Sequence, residues 1–67
     1  MNFEERLSAF IGRMVEAVST NQFLDGRLLR TGNRQFTIQV DSTSYIPQPR
    51  EVTVFTDNIA YVRIPPQ

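Results

Sequence analysis

Apolar residues recur at every second position through most of this chain, and that period admits few folds. Phe36-Thr37-Ile38-Gln39-Val40 alternates without a break. Such a run places Phe36, Ile38 and Val40 on a buried face of a strand and Thr37 and Gln39 on the opposite face. Similar runs predict strands over Met14–Ser19, Phe23–Arg30, Glu51–Thr56 and Ile59–Ile64, with Gln35–Asp41 as the third of five. Leu24, Gly26 and Leu28 share one face of the second strand, and Val52 and Val54 one face of the fourth. Thr20-Asn21-Gln22 is turn-prone. Gly32-Asn33 marks a hairpin, because both residues tolerate positive φ. Asp57-Asn58 makes a corner, and Pro65-Pro66 ends the last strand.

Residues 2–14 follow a different period. Phe3, Leu7, Phe10, Ile11 and Met14 recur at spacings of three and four, which predicts an amphipathic helix. Asn2 is placed to cap it, with Glu5 completing a capping box. Glu4 and Glu5 suit the positive end of the helix dipole and Arg13 the negative end, while Gly12 weakens the last turn. Ser42–Pro49 stands apart from both periods. Pro47 and Pro49 favour an extended loop or an edge there. Tyr45-Ile46-Pro47-Gln48-Pro49 reads either as a binding loop or as a rigid connector whose Tyr45 or Ile46 plugs the interior.

A chain of 67 residues holds one domain, 1–67, with a core worth only about 3–5 kcal/mol. Small domains usually add a disulfide, a metal or a partner subunit. With no Cys and no His, the first two supports are out of reach, and self-association is the one that remains. A helix over 2–14 and five short strands over 15–64 predict a mainly β fold, a strongly bent antiparallel barrel. An open sheet this short would leave two edges to manage. Gly26, lacking a Cβ in mid-strand, suits the bend.

The absence of His and Cys also removes the commonest general base and the strongest nucleophile. The seven acids show no paired spacing on one element, and no Gly-rich phosphate loop appears. Neither an enzyme nor a cofactor or metal site is expected. The acidic start Met1-Asn2-Phe3-Glu4-Glu5 is unlike a signal peptide. No apolar run approaches the roughly 20 residues that span a bilayer. A cytoplasmic protein without membrane contact or small-molecule substrate is therefore expected.

Two kinds of partner remain. All seven cations are Arg, balanced by seven acids to a formal net charge of +0. Arg27, Arg30 and Arg34 cluster on the second hairpin near Phe23 and Phe36, and arginines beside an aromatic platform suit single-stranded nucleic acid. The plainer account is that Phe36 is core and that the arginines pair with Asp25 or Asp41. The other partner is protein. The fourth and fifth strands are rich in β-branched residues and poor in charge, so Val52, Val54, Ile59 and Tyr61 mark edges that a second copy would cover. Pro49 and Pro65-Pro66 could instead blunt the edges of a monomer.

Three stretches bear on family. Leu7-Ser8-Ala9-Phe10-Ile11-Gly12-Arg13-Met14-Val15 resembles the helix-to-first-strand junction of the Sm-like (LSm) fold, and Phe23-Leu24-Asp25-Gly26-Arg27-Leu28 resembles its second strand. Val52–Val62 resembles the second Sm motif through Val52, Val54, Asn58, Ile59 and Val62. The resemblance covers nearly the whole chain. It implies an N-terminal helix on a five-stranded barrel whose fourth strand pairs with the fifth strand of a neighbour, continuing the sheet around a ring. It does not imply the usual RNA pocket. Phe55-Thr56 stands where binding members carry a basic residue and Gly. Gly32 and Phe36 stand where they carry Asp and Asn. The pattern is similar to that of short bacterial members, including some linked to spore layers. A non-catalytic, self-associating interaction module is the expected function, with a divergent RNA binder as the alternative.

Overall fold

In the computed structural model, residues 2–20, 22–40 and 50–66 are described. The 41–49 segment, and with it the Tyr45–Pro49 loop, lies outside them. A short helix, α1 (Phe3–Leu7), runs into a 3-10 turn at Ser8–Phe10 and is followed by five strands: β1 (Met14–Val18), β2 (Phe23–Gly32), β3 (Gln35–Val40), β4 (Arg50–Phe55) and β5 (Tyr61–Arg63). All pairings are antiparallel. The order across the sheet is β4-β3-β2-β1-β5.

The helix is capped as expected, for the Glu5 N–H donates to Asn2 Oδ1 at 2.8 Å. It is much shorter than 2–14. The chain leaves helical geometry at Ile11, where ψ is 132°, and Gly12 takes φ +95°, a conformation glycine adopts readily, in the turn closed by the Arg13 N–H on the Phe10 carbonyl. The Gly12 N–H then donates to the Leu28 carbonyl, and the Leu28 N–H donates to the Arg13 carbonyl. The chain therefore enters the sheet two residues before β1 begins. Of the apolar stripe, Leu7 is buried, Phe10 is half-buried, and Phe3, Ile11 and Met14 are exposed. Arg13 lies beyond the helix rather than at its end. Its guanidinium sits 5.6 Å from the Phe10 ring centroid and donates to the Pro65 carbonyl.

The long strand β2 belongs to two half-sheets. Its first half, Phe23 to Arg27, pairs with β1. Its second half, from Arg27 to Gly32, pairs with β3. Arg27 alone is opposite residues on both sides, Met14 and Gln39. Val15, Ala17, Leu28, Phe36 and Ile38 point between the halves and form the core, which Leu7 joins from the helix. The Phe3 ring lies 6.5 Å from that of Phe36. Next to the fold line, Gly26 is buried. A Cβ there would overlap the Gln39 carbonyl oxygen and Ile38 Cγ2, so β3 packs against β2 only because no side chain intervenes.

The expected barrel does not close. Among the described residues, β4 is bonded only to β3, and β5 only to β1. The sheet bends over its own core and stops with two free edges. β5 is also only three residues long, leaving Ile59 outside any strand. The turn between β2 and β3 differs as well. Gly32 pairs with Gln35, so the loop is Asn33-Arg34 and the positive φ falls on Arg34, at 61°. A register shift at Leu29, between Leu28 and Arg30, resets the alternation. Leu28 stays inside, while Arg27 and Arg30 both face outward. Thr37, expected outside in water, is buried.

Gly26→Ala is expected to destabilise the domain by about 3 kcal/mol, an overpacking penalty against rigid backbone. Urea unfolding monitored by circular dichroism measures it. A loss under about 1 kcal/mol would show that β2 and β3 can part without harm.

Candidate functional site

The hairpin arginines lie on the outer face of the β2–β3–β4 half, and each has an intramolecular partner. Arg30 Nη2 is 2.6 Å from Glu51 Oε1. Since β3 lies between β2 and β4, this pair crosses over β3, and the arginine stem roofs Thr37. That is the physical reason Thr37 is buried. Its hydroxyl lies 3.4 Å from that of Thr53. Arg34 pairs with Asp57, and its carbonyl accepts from the Thr56 N–H, so the β2–β3 turn and the corner after β4 are tied together. Arg27 Nη1 donates to the Gly12 carbonyl at 2.6 Å. The acids involved among the described residues are Glu51 and Asp57; of the expected Asp25 or Asp41, Asp25 forms no such pair and Asp41 lies outside the described residues.

The aromatic platform is also rearranged. Phe36 is only 1% exposed and belongs to the core. Phe23 is exposed, but it starts β2, about 23 Å of strand away from Arg30. Among the described residues, an exposed aromatic on this outer face is Phe55, which lies opposite Gln35 and is 57% exposed. The sequence does signal this residue. Counting outward positions on β4 from Glu51 through Thr53 reaches Phe55.

The four edge residues occupy three different situations. Val52 and Val54 point inward and are half-buried against the core. Ile59 packs on the core from the connection before β5. Tyr61 faces outward on β5 and is 56% exposed. Beneath β4 runs a cleft of about 170 Å³ with Ala17, Leu24, Val52, Val54 and Ile59 among its lining residues. Thr53 and Phe55 line it too, although their side chains point outward. The cleft therefore reaches round the backbone of β4 at its free edge.

Hydrogen-bond alternation tells which β4 groups are free there. Directly opposite residues in an antiparallel pair either exchange both bonds or make none. Arg34 and Thr56 are bonded and continue the β3–β4 register. Counting by two, Val54, Val52 and Arg50 bond β3. The N–H groups of Glu51, Thr53 and Phe55 and the C=O groups of Glu51 and Thr53 therefore point away from the sheet, unpaired within the described residues, while the Phe55 C=O opens the 3-10 turn Thr56–Asn58.

A double-mutant cycle on Arg30→Ala and Glu51→Ala is expected to give a coupling of about 0.2–1 kcal/mol at low salt, because both side chains are exposed. The coupling should fade in about 1 M salt. Arg30→Ala should cost more than Glu51→Ala, since it also uncovers Thr37. Equal losses from the two single variants would contradict the roofing role.

Among the described residues, no group of three or more acids stands close enough to hold a metal ion, and no helix is long and apolar enough to cross a membrane. Comparison with protein-family models, with curated proteins and with solved structures finds no match.

Proposed function

We propose that this chain is a non-catalytic interaction and assembly module of the Sm-like type, which associates with copies of itself through its free strand edges. One observation carries the proposal: β4 and β5 are the two edges of the sheet, the same strands that the resemblance pairs between neighbours. Unpaired edges of β-branched residues are templates for another strand. In β4, Glu51 and Thr53 each offer a free donor and acceptor to a neighbour, and Phe55 adds a third donor. Directly under that edge lies the apolar cleft. A strand laid along β4 gains main-chain bonds from the edge and a place for an inward side chain in the cleft, which is how β-augmentation combines affinity with specificity. Cyclic closure of such contacts removes every edge and supplies the support that a chain of this size cannot draw from disulfides or zinc.

Light scattering after size exclusion tests this. The wild-type mass is expected to be a multiple of the 7.7 kDa chain. Thr53→Pro removes the central free donor and leaves the β3–β4 bonds in place, so it is expected to reduce that mass while the circular dichroism spectrum stays folded. An unchanged mass in folded Thr53→Pro would sink the edge model.

A further inference from the structure

On the outer face of the β5–β1–β2 half, strand register sets two rows side by side. Tyr61, Val18 and Phe23 are directly opposite one another across three strands. Arg63, Glu16 and Asp25 form the next row, about 7 Å further along. Phe23 and Tyr61, 60% and 56% exposed, stand about 10 Å apart with Val18 between them. These are large apolar groups on a face that neither the helix nor the core uses.

We infer that this face binds a second copy of the chain, two-fold symmetric about an axis along β1. The charge pattern selects that occupant. A two-fold axis lying along β1 in the interface exchanges β5 with β2. Tyr61 then meets Phe23 of the second copy, Val18 meets Val18, and Arg63 meets Asp25, twice over. A surface that complements itself in both rows is what an isologous contact requires. Arg63 is free to serve. Its Nε lies 3.5 Å from Glu16 Oε1, which leaves the two terminal nitrogens for the second copy's Asp25. The two Glu16 carboxylates approach near the axis, each already held by its own Arg63. Asp25 has no cationic partner among the described residues. This contact uses a different surface from the β4 edge and does not depend on edge pairing.

The experiment separates the two surfaces. Thr53→Pro, with edge pairing blocked, is expected to be a dimer of twice the 7.7 kDa chain mass. Adding Asp25→Arg should weaken that dimer on the order of tenfold or more, by opposing two arginines. Adding Arg63→Asp to that variant should restore it, with the new guanidinium on β2 now beside Glu16. Phe23→Ser with Tyr61→Ser should abolish the dimer without restoration by the charge swap. The same series in the wild-type background guards against misfolding of Thr53→Pro, the expected result being a reduced mass for Asp25→Arg and its recovery in the swap. A folded monomer in Thr53→Pro, or a mass indifferent to Asp25→Arg in both backgrounds, overturns the inference. Loss on Asp25→Arg without recovery in the swap overturns the Arg63–Asp25 pairing and with it the two-fold arrangement.

Discussion

The close approach of β3 to β2 at Gly26 is the constraint on which the rest of the structure depends. β2 serves β1 with one half and β3 with the other, and the two half-sheets must fold toward each other for Val15, Leu28, Phe36 and Ile38 to meet. Any Cβ at the fold line would push the Gln39 carbonyl and Ile38 outward. The same bend gives the sheet two outer faces with different chemistry. One carries bridged arginines and hydroxyls. The other carries an aromatic row beside a charged row.

Strand faces were legible because alternation reports burial directly. Phe36 and Ile38, taken from the pattern as core, are the most deeply packed residues beside Leu28 and Val15. What alternation does not report is which strand lies next to which. Closure of the barrel was expected from the cost of edges, a cost that a partner copy relieves as well as self-closure does. The helix was overextended for a related reason. Ile11 and Met14 keep the spacing of three and four, yet the backbone leaves the helix at Ile11 and the positive φ at Gly12 turns it toward the sheet before Met14. The hairpin was misplaced by one residue because the bulge at Leu29 leaves no mark in residue type, and it decides that Gly32 pairs and Arg34 turns.

The hairpin arginines are tied into the fold in ways that their grouping in the sequence does not reveal. Their grouping on β2 and its turn is real, and the bulge strengthens it by bringing Arg27 and Arg30 to one face. Each nevertheless has an intramolecular partner, and Arg30 acts partly as a roof over Thr37. The exposed pairs contribute little to stability, but they join elements far apart in sequence, with β2 bridged to β4 and the hairpin turn to the corner before β5. β4 itself is held by its ladder to β3, and with it the free edge on which the proposed assembly rests.

Amide hydrogen exchange resolved along β4 is the most direct test of that edge. Val52 and Val54, bonded to β3, should be protected at any concentration. Glu51, Thr53 and Phe55 should be protected in concentrated protein and lose that protection on dilution, because their N–H groups have no partner among the described residues. Exchange of these three amides at unprotected rates in concentrated protein, with Val52 and Val54 still slow, would show a stable domain whose edge stays open, and would contradict edge-to-edge assembly.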